Sequence, residues 1–297
     1  MDCEHNYDKI GSHVFIVKLK GLLMALAHSD ISRMLEVAAV AARLAGQRAL
    51  EELKYIKTSV KHGNELVTQA DSICQQLIIS RIKETYPDDG FIGEEGPDDQ
   101  MLFQPPRTAE PVWWVIDPID GTNNYSHGLL SFAVSVAAFY EGRPIVGVIY
   151  DAATESMYTA AVETEAQLNG SRITAGKDDI SQFNSFGIDS HYTDDMAEGI
   201  RQMMNRTRFR NLGSTALHLA YVAKGAMIGT VSTVTKIWDI AAGAILIERA
   251  GGILTDLNGQ SVFPVDLNAC NGRQYRILAA NRKTHPELLK TFAPPVT

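Results

Sequence analysis

The apolar run Trp113-Trp-Val-Ile116 passes without a break into Asp117-Pro-Ile-Asp120-Gly-Thr122. A short segment with no polar residue reads as a strand buried on both faces, and this one ends in two acids three residues apart. Asp117 is expected at the strand end, partly buried, where unpaired charge is costly. Asp120 is expected in the same turn, stiffened by Pro118 and opened by Gly121. Two close carboxylates repel each other and raise a pKa unless a cation neutralises them. No Lys or Arg lies between Arg107 and Arg143 to do so. Hard oxygen ligands without His or Cys beside them favour Mg²⁺ or Mn²⁺ over zinc. Gly121-Thr122 then offers backbone N–H groups and a hydroxyl to an anionic oxygen. Beside a divalent cation, the matching ligand is a phosphate.

Two more acid clusters invite the same question. Phe91-Ile-Gly-Glu94-Glu95-Gly sets adjacent carboxylates between glycines, and Trp238-Asp239-Ile-Ala-Ala-Gly243 puts an acid at a helix start. Taken singly, each has an ordinary explanation. A Glu pair in a loop is solvated, Asp-Gly is a common turn, and Asp at a helix start is an N-cap contributing about 0.5–2 kcal/mol. Taken together with Asp117 and Asp120 they point to a metal site.

The rest of the chain supplies the frame. Leu35, Ala38, Ala42, Ala45, Ala49, Leu53 and Ile56 step by three and four, the period of an amphipathic helix. A loop with Gly63 and Asn64 follows. Thr68-Gln-Ala-Asp71 then has capping-box spacing and opens a second helix that Pro87 stops. Ser131–Tyr140, Pro144–Asp151 and Ser156–Ala160 read as an antiparallel meander turning at Glu141-Gly142. Ser214 caps a helix ending at Gly225, Asp239–Ala250 is a helix closed by Gly251-Gly252, and Ile253–Thr255 and Arg276–Ala280 are strands. The polar segment Asn184–Arg210 is the least readable, with room for a strand and a helix. No linker-like stretch divides the chain, so the expected organisation is an N-terminal extension (1–33), a metal-binding α+β half (34–160) and a C-terminal α/β half (161–297) that completes one active site.

Charge and cysteine usage narrow the partners. The 297 residues are 45% hydrophobic and carry a net charge of −8, the balance of a globular protein and the wrong sign for binding nucleic acid or an anionic membrane. Val14–Ala27 is apolar but includes Lys18 and Lys20. It also falls short of the roughly 20 apolar residues that span a bilayer. Cys3, Cys74 and Cys270 are too few and scattered for a disulfide framework, so the expected compartment is the reducing cytoplasm.

At the motifs Leu66-Val-Thr-Gln-Ala-Asp71, Phe91-Ile-Gly-Glu-Glu95, Trp114-Val-Ile-Asp-Pro-Ile-Asp-Gly-Thr-Asn123, Leu212-Gly-Ser-Thr-Ala216 and Trp238-Asp-Ile-Ala-Ala-Gly243 with Ala250-Gly-Gly252, the chain resembles the inositol monophosphatase family of lithium-sensitive, magnesium-dependent phosphatases. The resemblance runs from about Met34 to the C-terminus. It implies a layered αβαβα sandwich of the inositol monophosphatase and fructose-1,6-bisphosphatase type, assembled as a homodimer and acting on a small phosphate monoester with two to three Mg²⁺ ions, for which Mn²⁺ could substitute. It implies that Glu94, Asp117 and the Ile119 carbonyl hold the first ion, that Asp117, Asp120 and Asp239 hold the second, and that a third, weaker one leans on Glu94. Glu95 matches a family acid of less secure role. Thr122 with Asp71, helped by Glu94, is the implied activator of the attacking water. The Gly121 and Thr122 amides are the implied phosphate contacts, with Asp120 and Asp239 also facing the substrate.

The substrate-reading segment departs from the animal enzymes of the family. Where they carry a glutamate against the inositol ring, this chain has Ser232, and Thr215 stands where alanine is usual. Loss of an acceptor weakens the case for inositol as such, although inositol monophosphate remains the default polyol phosphate. Lys236 could favour a second anionic group, and Lys61 precedes Asp71 where relatives are basic; neither is given a role. His127 and His218 are expected to line walls. The alternatives within the superfamily are a 3′(2′),5′-bisphosphate nucleotidase, a fructose-1,6-bisphosphatase and a histidinol-phosphate phosphatase. A catalytically dead regulatory homologue is the alternative outside enzymes.

Overall fold

Small residues at helical spacing let the first helix lie close against a sheet. In α1 (His28–Glu52), Ala38, Ala41, Ala42, Ala45 and Ala49 are fully buried, so the backbone approaches its neighbours without intervening bulk. The structure is a computed structural model that describes residues 28–55, 58–60, 66–270 and 272–293. The Val14–Ala27 stretch, Cys3, Ile56, Lys61 and the Gly63-Asn64 loop lie outside the described residues. The helix begins at His28, six residues before the expected boundary at Met34, and Ile31 is already in the core.

The hairpin β1 (Thr58–Val60) and β2 (Leu66–Thr68) leads into α2 (Gln69–Lys83). The expected capping box forms there: Asp71 Oδ2 accepts from the Thr68 amide at 2.8 Å and from its hydroxyl at 2.6 Å. Next come β3 (Gly90–Gly93), β4 (Leu102–Gln104), β5 (Val112–Asp120) and the five-residue α3 (Thr122–Ser126). The meander follows as β6 (Ala133–Tyr140), β7 (Arg143–Asp151) and β8 (Ser156–Ala161), with the small pair β9 (Gln167–Leu168) and β10 (Ser171–Arg172) beyond it. All of these from β3 on form an eight-stranded sheet of order β10-β9-β8-β7-β6-β5-β3-β4, antiparallel except where β3 runs parallel to β5.

The second half builds β11 (Ser185–Ile188), α4 (Ala197–Met204), β12 (Arg208–Arg210), α5 (Thr215–Ala223), β13 (Gly229–Thr235), α6 (Ile237–Arg249), β14 (Gly252–Asp256), β15 (Tyr275–Asn281) and α7 (His285–Phe292). Its five strands order as β12-β11-β13-β15-β14. The polar segment Asn184–Arg210 thus holds a helix and two strands. The substrate-reading segment around Ser232 lies on strand β13, buried at every residue except Val234.

Three apolar clusters separate five layers, the expected αβαβα sandwich. Helices α1 and α2 pack on one face of the large sheet. Helices α5 and α6 fill the space between its other face and the second sheet. The outer face of the second sheet is covered by α4 and α7, with Phe186 stacked on Phe292. Strand β5 lies in the middle of this arrangement. Trp114 and Ile116 belong to the outer cluster, Trp113 and Val115 to the central one, which is why its sequence shows no polar alternation.

Candidate metal centre

Residues three apart on a regular strand point to opposite faces. Asp117 and Asp120 nevertheless meet, because the pairing of β5 with β6 slips between Asp117↔Ser135 and Asp120↔Ala133, where three steps on β5 oppose two on β6. The extra residue is a β-bulge, which tolerates the missing N–H of Pro118 and re-aims the second acid. The Ile119 amide donates to Asp117 Oδ1 at 3.0 Å and fixes that carboxylate inside the bulge.

The third acid arrives from the central layer. Asp239 lies in the first turn of α6, and its Oδ2 accepts from the Lys236 amide at 2.8 Å. The Ser135 hydroxyl donates to the Trp238 carbonyl at 3.0 Å, tying this turn to β6. Asp117, Asp120 and Asp239 thereby offer one carboxylate oxygen each, all within 4.8 Å of one another. Glu94 follows β3, whose Gly93 pairs in parallel with Ile116. The Glu94 amide donates to the Ile116 carbonyl at 3.3 Å, which carries its side chain to Asp117. The pair Glu94-Glu95 therefore caps a buried strand and does not sit in a free loop. Gln75 of α2 holds the backbone of Glu95 from both sides, its carbonyl accepting from the Glu95 amide at 3.0 Å and its amide donating to the Glu95 carbonyl.

Crowded acids in a dry setting pull on protons. Asp117 is 2% exposed; burial, then the charges of Glu94, Asp120 and Asp239, hold its pKa well above the usual carboxylate range. Burial pushes Asp120 up to about 6 even though the Ser214 hydroxyl and the Ala216 amide, at 2.6 Å, donate to its Oδ2. Asp239 is raised too, by burial and then by Asp120. The donor set is all oxygen, negatively charged and tightly gathered, which fits a hard divalent cation.

The remaining predicted residues gather at the same end. Thr122 Oγ1 is shared between Asp71 Oδ1, at 3.2 Å, and the Ile119 carbonyl, at 3.0 Å. Asp71 is fully buried, its other oxygen held by Thr68. Gly121 begins α3 at φ 103°, a conformation that disfavours any side chain, and a Cβ there would also press on the Ser131 and Gly213 carbonyls at 3.0 and 3.1 Å. Beside Asp120 opens a pocket of about 500 Å³ walled by Asn123, Asp189, His191, Asn211 and Thr215. That is the size of a small-ligand site. Among its described lining residues there is no Lys or Arg. Lys236 turns elsewhere, its Nζ donating to the Gly272 carbonyl at 2.7 Å. His127 is exposed at the end of α3, whereas His218 is fully buried in α5.

Four contributors were given no site role by the sequence. Gln75 and Asp189 belong to no local motif, and His218 was expected only to line a wall. Ser214 lies in the Leu212–Ala216 motif but was assigned only a helix cap, which it is, accepting from the Leu217 amide at 3.1 Å while also holding Asp120.

Comparison with known proteins agrees with this architecture. The chain is 32% identical over 272 residues to "Nus factor SuhB" of Pseudomonas aeruginosa, covering 88% of this chain and 96% of the relative. It is 34% identical over 261 residues to "Nus factor SuhB" of Escherichia coli K12, covering 84% and 96%. Among solved structures, the IMPase of Thermotoga maritima superposes with a TM-score of 0.76 at 30% identity, covering 88% of this chain and 96% of that one. The extragenic suppressor protein suhB of Bartonella henselae gives 0.78 at 26% identity, covering 88% and 98%. The family model described as "Inositol monophosphatase family" matches residues 30–294. With the five layers and the motifs in place along that whole span, the chain belongs to the inositol monophosphatase family.

Proposed function

We propose that the protein is a Mg²⁺-dependent phosphomonoesterase that hydrolyses a small polyol phosphate, with inositol monophosphate as the default substrate. The observation that carries this reading is the triad of buried Asp117 and Asp120 with part-buried Asp239, with oxygens within 4.8 Å and no Lys or Arg among the described residues walling the adjoining pocket. Glu94, Asp117 and the Ile119 carbonyl would hold one ion, Asp117, Asp120 and Asp239 a second, and Glu94 would help with a third. Bound there, Mg²⁺ would lower the pKa of an attacking water and neutralise charge on the leaving oxygen.

The chain's own groups do the positioning, which dominates phosphoryl transfer. A water donating to Thr122 Oγ1 meets a hydroxyl whose one proton has two acceptors, Asp71 Oδ1 and the Ile119 carbonyl; with that carbonyl given to an ion in this reading, Asp71 is the acceptor on which the proton released on attack would end. Glu94 flanks the same space. The Gly121 and Thr122 amides, presented by the positive-φ turn, are the phosphate donors in this reading. Asp120 is held still by Ser214 and Ala216, and it faces the alcohol part of the substrate together with Asp239.

Residues 34–160 and 161–297 act in this reading as two halves of one catalytic unit, carried by a homodimer. The buried free thiols of Cys74 and Cys270 suit a reducing cytoplasm, and no described helix is long and apolar enough to cross a membrane. Two relatives carry the name Nus factor, which specifies no hydrolysis. A non-catalytic protein on this fold is therefore the rival, and the presence of all four acids favours the enzyme.

A panel of inositol monophosphate, adenosine 3′,5′-bisphosphate, fructose 1,6-bisphosphate and histidinol phosphate, assayed with Mg²⁺ and with added Li⁺, tests the reading. Turnover of inositol monophosphate that Li⁺ slows, and that Asp239→Asn lowers at least about a thousandfold in a folded protein, is the expected result. Preference for the adenosine bisphosphate overturns the substrate. Near-normal activity of Asp239→Asn overturns the metal role.

A further inference from the structure

Strand β11 runs parallel to β13 with Gly187 opposite Thr230 and Ile188 opposite Val231, so Asp189 and Ser232 are the next residues in that register. Alternation puts Gly187 and Asp189 on one face, with Thr230 and Ser232 beside them. That face meets α5. A Cβ at Gly187 would stand 2.6 Å from Thr230 Oγ1 and 3.2 Å from His218 Cδ2, so the bare backbone makes room for the imidazole. His218 is fully buried, and its Nε2 accepts from the Leu212 amide at 3.0 Å. With Nε2 accepting, the proton of the neutral ring is on Nδ1. Nδ1 lies 3.5 Å from Asp189 Oδ1, too long for a well-formed hydrogen bond, and has no other partner. Thr230 Oγ1 and Ser232 Oγ are likewise buried without partners. Buried polar atoms left unsatisfied ask for an explanation, and three of them cluster behind one acid.

That acid faces the other way into the pocket beside Asp120. Its charge contributes to raising both Asp120 and Asp239, so it stands close to the metal candidates while lying outside the triad they form. We propose that Asp189, backed at 3.5 Å by the His218 imidazole, is a specificity-determining residue whose carboxylate accepts a hydrogen bond from a donor on the alcohol part of the substrate. The inference rests on the phosphomonoesterase reading and extends it to the leaving group. A second phosphate in this pocket would meet Asp189 with no Lys or Arg among the described lining residues to offset it, whereas a hydroxyl or an ammonium would be attracted. The ligand class is therefore a monophosphate whose alcohol part carries such donors. The part-exposed acceptor is selective, because a ligand lacking the donor would cover the carboxylate without pairing it.

The test compares inositol 1-phosphate (hydroxyl donors), histidinol phosphate (an ammonium donor) and p-nitrophenyl phosphate (no donor on the alcohol part) on wild type, Asp189→Ala, Asp189→Asn and His218→Leu, each verified as folded by circular dichroism. Asp189→Ala is expected to raise KM about tenfold for the donor-bearing phosphate that wild type prefers. Its kcat on that substrate, and all parameters for p-nitrophenyl phosphate, should stay within about twofold. His218→Leu should shift the same KM in the same direction by less. Equal losses on all substrates, or no change on any, would overturn the proposal. Calorimetric titration with inositol 1-phosphate and with histidinol phosphate separates the two readings. If wild type hydrolyses nothing yet binds one of them, and Asp189→Ala binds it about tenfold more weakly, the phosphatase reading fails and the Asp189 assignment stands. If neither phosphate binds to wild type, or Asp189→Ala binds equally well, the Asp189 assignment fails.

Discussion

Trp114, fully buried in β5, donates its indole N–H to Asp89 Oδ2 at 2.8 Å, away from the metal centre. Burial, partly countered by that hydrogen bond, pushes the Asp89 carboxyl up to about 6. Its folded pKa is thus above the unfolded value near 4, so the stability it contributes is fully present below about pH 4 and is lost as pH rises through about 6. Asn at this position keeps the acceptor for Trp114 and removes the charge. Asp89→Asn is therefore expected to be more stable than wild type above pH 6, by about 1–2 kcal/mol after allowing for solvent screening. Urea melts at pH 4 and pH 7.5 check this, and the difference should shrink at the lower pH. An Asn variant less stable at pH 7.5 would show that the charged hydrogen bond to Trp114 outweighs desolvation. This pair, like His218 with Asp189, joins residues that no local spacing connects; the Thr68 to Asp71 cap is three residues long and was legible at once.

Elements differ in how plainly they announce themselves, for physical reasons. Helix α1 shows its period because one face is buried and the other wet. Strand β5 shows no period because both faces are buried, yet its apolar run is unmistakable. Strand β3 is four residues long, with glycine at each end, and gains its identity only from pairing with β5 and β4. Strand β13 mixes four hydroxyl residues with two valines and a glycine, and its burial comes from neighbours on both sides and not from an apolar run. The bulge in β5 is equally hidden, since it is a property of register with β6 and not of β5 alone. Helix α5 has a cap with two duties, and Ser214→Ala separates them. Loss of the cap should cost about 0.5–2 kcal/mol, read as a lower urea midpoint at unchanged slope. Loss of the hydrogen bond to Asp120 should lower kcat/KM at least about tenfold on the preferred phosphate. A stability loss with unaltered kinetics would show that Ala216 alone holds Asp120.

Across the whole molecule, the acids are carried by different layers. Glu94, Asp117 and Asp120 stand on the large sheet, and Asp239 on a helix between the two sheets. Cations shared among them would tie those layers together and stabilise the folded chain by mass action, about 2.7 kcal/mol at a hundred times Kd. Saturating Mg²⁺ is accordingly expected to raise the thermal midpoint by several degrees, and Asp239→Asn to remove most of that shift. Calorimetric scans with EDTA and with Mg²⁺ measure it; an equal shift in the variant would mean the ion binds elsewhere. These four acids are among the 35 Asp and Glu behind the net charge of −8, a sum that describes the surface field but not the site, because bound cations would reverse the local sign.

Features that depend on neighbours a few residues away were legible in the sequence. These are the helix periods and caps, the buried strand ending in acids, the turn at Gly121, and the motifs that mark the family and its layered fold. Tertiary structure alone decided what depends on residues far apart in the chain. Packing of α6 against the large sheet brings Asp239 to Asp117 and Asp120, pairing of β3 with β5 delivers Glu94, and the facing of β11, β13 and α5 sets Asp189 before a buried histidine. Local chemistry is written in spacing because backbone geometry repeats every two or 3.6 residues. Long-range convergence has no such period, and it comes only from burying the apolar faces of all five layers at once.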